Sequence, residues 1–200
     1  WQRPLLAPGT MSQVRPEQQS LPVVQVPPEP THGGAQTPPT GYLLVSGWYK
    51  DRGVQREYMR AVTPILQAHG YEKAVKGFWW SPEYQELKKI RAGASALDVL
   101  QVDGVAGVQP RMDGQSAYLV FLADIRDRKR FLEGYAPYAP DVVRAHGGEF
   151  LIRAAQADTE LLEGAHLPGS LIVVEFPDAD ALRKFWNGEA YRRLSEIRRT

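Results

Sequence analysis

The chain writes one short phrase twice: Phe78-Trp79-Trp80-Ser81-Pro82-Glu83-Tyr84, and later Phe185-Trp186-Asn187-Gly188-Glu189-Ala190-Tyr191. Each copy runs on into an amphipathic helix pattern, ending Leu87, Ile90, Arg91 in the first and Leu194, Ile197, Arg198 in the second. Matched positions lie 107 residues apart throughout (185 − 78, 191 − 84, 198 − 91), a constancy that chance rarely produces. An internal duplication therefore frames the chain, with the phrase read as the start of the second helix of each copy.

Working outward, Tyr42 to Tyr49 is a strand by its β-formers. After a turn at Asp51-Arg52-Gly53, residues Tyr58, Val62, Ile65 and Leu66 share one helical stripe. Pro64 predicts a bend or an early end there, and Gly70 after Ala68-His69 suits a left-handed cap. Leu97 to Val102 alternates as a further strand, and Val105 to Ser116 reads as a linker. The second unit restarts at Tyr118 to Ala123, continues through Asp127-Arg128 to a stripe of Phe131, Tyr135, Tyr138 and Val142, and closes at Ala145-His146-Gly147. Tyr42 and Tyr118 are offset by 76 residues, whereas Tyr58 and Tyr135, like His69 and His146, are offset by 77.

Beyond Gly147 the copies part. The second has Phe150-Leu151-Ile152-Arg153, a polar turn, Thr159 to Glu163, a loop with Pro168 and Gly169, and Leu171 to Phe176, together read as a two-stranded hairpin. Pro177-Asp178 then starts a helix with an Asp cap. The first copy lacks the hairpin, since the offset rises from 77 to 107 between Gly70 and Phe78. The second copy in turn has no partner for the strand at Leu97 to Val102. Either about thirty residues are omitted from this sequence or the first copy has lost them; the uncovered sheet edge that a loss would leave favours omission. The composite unit is β-α-β-β-α-β, so the expected class is α+β, two ferredoxin-like repeats with the first incomplete. The expected boundaries are a disordered proline-rich tail over 1–40, a first repeat over 41–105, a linker over 106–116 and a second repeat over 117–200.

Composition narrows the function classes. The 200 residues carry a net charge of +1, 43% hydrophobic and 24% charged residues, and no cysteine. No global field favours nucleic acid or an anionic membrane. Disulfides, thiolate nucleophiles and Cys-based metal sites are excluded, and no run approaches the ~18 apolar residues of a membrane span. The chain opens at Trp1, with Met11 an internal start or a leader already removed. The polar, proline-rich lead-in favours an exported, periplasmic protein over a cytoplasmic one.

In this order, His146-Gly147-Gly148 before a strand ending in Arg153, Leu161-Leu162-Glu163-Gly164, Val173-Val174-Glu175-Phe176-Pro177 and Phe185 through Arg198 resemble the DUF1330 family, small members of the dimeric α/β-barrel group. Phe78 to Tyr84 matches the same helix motif, and Asp98 to Val105 resembles the family's closing strand. The resemblance covers about residues 42–200, at both ends of the first copy and throughout the second. It implies that two such domains pair sheet to sheet, here inside one chain as a pseudo-dimer, with a homodimer as the alternative. The family has no established activity, so it implies no catalytic residues. Its wider group includes cofactor-free monooxygenases, isomerases and haem-dependent enzymes, which is analogy of fold alone.

The candidate chemistry is sparse. His32, His69, His146 and His166 show no i, i+3 or i, i+4 spacing, so no metal site is expected, and no cofactor motif is present. His146 sits at a helix C-terminus, where a cap competes with a general base. Glu175 shares a strand face with Leu171 and Val173 and needs a partner there. Arg153 is that expected partner, as a cross-strand bridge or, if the face lines a cavity, as one of two groups that orient a polar ligand. Tyr118 and Trp186 are candidates to wall a pocket between sheet and helices, with core packing as the default reading for both. Glu163 reads as solvated. The expected function is binding of a small organic ligand, with a cofactor-independent enzyme using His146, Arg153 and Glu175, or a structural module without ligand, as the alternatives. Arg192, Arg193, Arg198 and Arg199 read as a solvated helix face beside Glu189 and Glu196, not as a nucleic-acid site.

Overall fold

The computed structural model describes residues 24–25, 41–68, 74–111 and 113–199. The proline-rich tail, apart from Val24 and Gln25, and the expected cap at His69 and Gly70 lie outside the described residues.

Two antiparallel sheets carry the fold. The first is ordered β1 (Val24–Gln25), β2 (Gly41–Tyr49), β3 (Ser95–Asp103) and β6 (Thr159–Glu163). The second is ordered β4 (Ala117–Ala123), β7 (Ser170–Phe176) and β5 (Glu149–Ala155). Strand alternation divides each sheet's side chains between two faces. Tyr42, Leu44, Leu100 and Val102 of the first sheet share one buried cluster with Leu151, Ile152, Leu171 and Val173 of the second. A backbone bond from Val105 N–H to the Leu151 carbonyl (2.8 Å) ties the chain leaving β3 to β5.

The opposite faces are covered by helices. Over the first sheet lie α1 (Arg52–Ala68), α2 (Ala74–Trp79) and α3 (Pro82–Lys88), burying Tyr58, Val62, Phe78 and Tyr84 against Leu43 and Val99. Over the second lie α4 (Arg128–Arg130), α5 (Ala139–Arg144), α6 (Ala179–Asn187) and α7 (Glu189–Arg199), burying Val143, Leu182, Phe185 and Tyr191 against Val174 and Phe176. The mixed helix and sheet content is α+β. β7 is buried on both faces, which its unbroken apolar run requires.

Several local expectations are corrected. α1 continues through Pro64 to Ala68 without a break. The second unit's first helix is instead divided: Asp127 caps α4 through a bond from Arg130 N–H (2.9 Å), a π-helical turn spans Phe131–Tyr135, and α5 follows. Asp51 caps α1 through Gly53 N–H (2.5 Å) and lies 76 residues before Asp127, while Tyr58 lies 77 before Tyr135. The span from cap to tyrosine is therefore one residue longer here than in α1, and a π turn is how a helix accommodates such a residue.

The repeated Phe-Trp phrase is a joint between two helices, not the start of one. Ser81 caps α3 by accepting from Tyr84 N–H (3.2 Å), so the Phe-Trp pair closes α2 and Glu83-Tyr84 opens α3. In the second half α6 ends at Asn187 and α7 opens at Glu189. Finally, the segment read as one hairpin serves two sheets: β5 pairs with β7, but β6 crosses to pair with β3.

Candidate functional site

The two helix joints build the same local geometry. The ring centroids of Phe78 and Tyr84 lie 4.3 Å apart, and those of Phe185 and Tyr191 lie 4.4 Å apart. Trp79 to Tyr84 and Trp186 to Tyr191 follow at 5.0 and 5.2 Å. These contacts hold each tyrosine so that its hydroxyl meets the arginine seven residues on. Arg91 Nη2 donates to Tyr84 Oη at 3.5 Å, and Arg198 Nη2 to Tyr191 Oη at 3.4 Å. A second tyrosine, from the first helix of each half, completes each group: Tyr58, whose hydroxyl lies 2.8 Å from that of Tyr84, and Tyr135 beside Tyr191.

The groups differ in what faces the arginine. Arg91 is buried, and Glu163 grips its guanidinium at both ends, Nη1 to Oε1 at 2.5 Å and Nη2 to Oε2 at 2.9 Å. Lys88 Nζ adds a contact to Glu163 at 2.9 Å. Burial opposes charge on Glu163, but the bonds from Arg91 and Lys88 outweigh it and hold the carboxyl below its ordinary value. Burial likewise opposes charge on Arg91, and the Glu163 carboxylate reverses that effect. Tyr49, half-buried beside this network, is pushed up to about 12 by burial and by Tyr58. The reading of Glu163 as solvated is thus corrected. A bulge at Val99/Leu100 sets Glu163 opposite Val99, on the helix-covered face.

Arg198 has no such partner. Among the described residues it forms no ion pair, its Nε, like that of Arg91, is buried without a hydrogen-bond partner, and its guanidinium lies 5.3 Å from the Phe121 ring. Beside it opens a cavity of about 420 Å³ between the second sheet and its helices. Phe121, Phe131, Val143, Ile172, Val174 and Phe185 supply apolar walls. Five arginines (126, 130, 153, 198 and 199) and two aspartates also line it. Both aspartates are engaged by backbone: Asp124 accepts from Gly169 N–H (2.9 Å) and Asp127 caps α4. The mouth is therefore cationic. Burial and the nearby Tyr191 push Tyr135 up to about 12, and burial raises Tyr191 against the opposing influence of Arg198.

The candidate residues taken from the sequence fall in different places. Arg153 lines the cavity, its guanidinium 5.1 Å from the Phe150 ring. Glu175 lies on the other face of the sheet, buried between the sheets, so the expected Arg153–Glu175 bridge is absent. Glu175 instead accepts from Arg111 N–H at 3.1 and 3.0 Å and from the Tyr118 hydroxyl at 3.0 Å. The cause is a bulge between Phe150 and Ile152: it pairs Arg153 with Ile172 and shifts its side chain to the helix-covered face. Tyr42 borders the same carboxylate and is pushed up to about 12 by burial, Glu175 and Tyr118.

His146 lies in the turn after α5, with Nδ1 2.8 Å from the Val142 carbonyl and its ring edge-on to Phe185 at 5.8 Å. Gly147 turns the chain at φ +71°, and Gly148 passes where any Cβ would strike Val143 and Phe176, at 2.7 and 2.8 Å. The His-Gly-Gly run is thus set by this corner. Trp186 is half-buried, stacked 6.4 Å from Phe121 behind the cavity wall. Arg198, read from the sequence as solvated, is the missed residue, and the only signal for it was its place seven residues after Tyr191, as Arg91 follows Tyr84.

Among the described residues no group of three or more His, Asp or Glu is placed to hold a metal ion, and no helix is long and apolar enough to cross a membrane. No curated protein and no solved structure matches the chain. Residues 116–200 match the family model described as Domain of unknown function (DUF1330), which supports that family for the second half of the chain.

Proposed function

We propose that the protein binds a small organic molecule in the cavity between the second sheet and its helices. One observation carries the reading: the space of about 420 Å³ lies within the range of small-molecule sites and combines apolar walls with a few convergent polar groups. A catalytic role for His146 with Arg153 and Glu175 has less behind it, because Glu175 faces the space between the sheets and His146 packs on Phe185 at a helix end. The test is a ligand-observed NMR screen of small organic molecules against the full chain and an Ala136→Phe variant. Ala136 lines the cavity, so hits that disappear in the variant locate binding there. A screen whose hits all persist in the variant, or that yields none, leaves the structural-module reading in place.

The pairing of the halves belongs to the same proposal. Tandem copies packed sheet to sheet, as in the dimeric barrel group, account for the near-equal ring distances at the two helix joints and for the shared cluster of Tyr42, Leu44, Leu171 and Val173. A monomer in sedimentation velocity fits a pseudo-dimer within one chain. A dimer fits the alternative, in which a second copy covers Val120 and Leu122, both exposed on β4.

A further inference from the structure

The geometry points to the chemical class of the ligand: we infer that the cavity takes a carboxylic acid with an apolar body, its carboxylate held by Arg198. This rests on the cavity being a ligand site and goes beyond it by naming what the site recognises.

The molecule contains its own template. In the first half a Tyr–Tyr–Arg group, Tyr58, Tyr84 and Arg91, is closed by the Glu163 carboxylate, bound at both guanidinium ends. In the second half Tyr135, Tyr191 and Arg198 repeat the group, with the arginine–tyrosine bond at 3.4 Å against 3.5 Å. No side-chain carboxylate arrives there among the described residues; the buried Nε is unpaired on Arg91 as well as on Arg198, so the difference between the two groups lies in the carboxylate. A planar guanidinium recognises a carboxylate through two parallel bonds, a match that a neutral amide cannot reproduce. Glu163 reaches Arg91 from β6, which crosses over from the second half. Over the second half no described strand makes the reciprocal crossing, and the cavity opens beside Arg198 instead.

The rest of the lining agrees on charge and shape. Five arginines against two aspartates, both bound to backbone N–H groups, favour an anion. The aromatic and branched walls call for a ring or branched chain behind the carboxylate, so acetate alone leaves them unfilled.

The test uses phenylacetate, phenylacetamide and acetate as probes, titrated calorimetrically into the full chain at neutral pH. Phenylacetate is expected to bind at least about 10-fold more tightly than either of the others, the worth of a hydrogen-bonded charged group and of a buried ring. Arg198→Gln is expected to remove that preference, and Arg198→Lys to restore part of it. Equal binding of acid and amide overturns the carboxylate assignment and leaves the cavity reading standing. Binding by none of the probes, with no shifts at cavity residues in two-dimensional NMR, overturns both. The acid–amide comparison in the unaltered protein decides the matter even if a variant fails to fold.

Discussion

The two halves of this protein hold the same three side chains in the same arrangement, and only one half closes it. Around Arg91 a carboxylate, a lysine and two tyrosines are drawn into one bonded group. Around Arg198 the tyrosines are present, no side-chain carboxylate among the described residues meets the guanidinium, and about 420 Å³ of space stands open. The contrast teaches that an arginine's role here depends on which strand the sheet places opposite it, and not on its local sequence. β6 joins the first sheet beneath its helix layer and turns the arginine there into structure.

That difference is most directly broken at the arginines. Arg91→Met leaves Glu163 half-enclosed with Lys88 alone, and breaking such a buried pair is expected to cost about 3–5 kcal/mol in urea unfolding. Equal losses from Arg91→Met and Arg198→Met would remove the distinction between a structural and an open arginine.

Next in size is Glu163→Gln, expected to cost about 2 kcal/mol, below the full value for a buried pair because the Glu163 side chain keeps 27% exposure. Its pH dependence has a definite sign. Glu163 is held below its ordinary value of 4.5, so its stabilisation is complete above that value and is lost as pH falls through the lower folded value. The gap between unaltered protein and variant should therefore be constant from neutral pH down to about 5 and narrow below 4.5. A gap unchanged down to pH 3 would show that the carboxylate's charge is not what Arg91 requires. Arg198→Met follows, expected to cost about 1 kcal/mol or less, since an arginine without an ion pair forfeits mainly its packing and one long hydrogen bond.

The sequence made the frame of this comparison legible and hid its outcome. Fixed spacing between Phe78 and Phe185, and alternation along β2, β3 and β7, were enough to place strands and helices. The fates of the charged residues turned on two single-residue bulges, one beside Leu151 and one opposite Leu162. Each reverses the face of the residues beyond it, carrying Arg153 away from Glu175 and Glu163 onto Arg91. Neither bulge is marked by glycine or proline, so strict alternation gave the wrong face. The crossing of β6 was equally hidden, because Thr159 to Glu163 reads as a strand whichever sheet receives it.

The smallest effect probes how firmly the cavity wall is built. The π turn at Phe131–Tyr135, where α1 has none, forms part of the cavity wall. Gly134 lies in that turn; its counterpart in the continuous α1 is Glu57, an exposed residue. In an open helix Gly→Ala gains about 1 kcal/mol. At Gly134 a Cβ would meet Ile197 Cγ2 at 3.0 Å, tight enough that one side must yield. Ile197 also lines the cavity. The two effects should nearly cancel, so Gly134→Ala is expected to change stability by less than about 0.5 kcal/mol, read by urea midpoint beside Glu57→Ala as the control. A gain near the full 1 kcal/mol would mean that Ile197 swings into empty space and that the wall is soft. A loss of that size would mean that the π turn and α7 are locked together, with the cavity held open by a rigid frame.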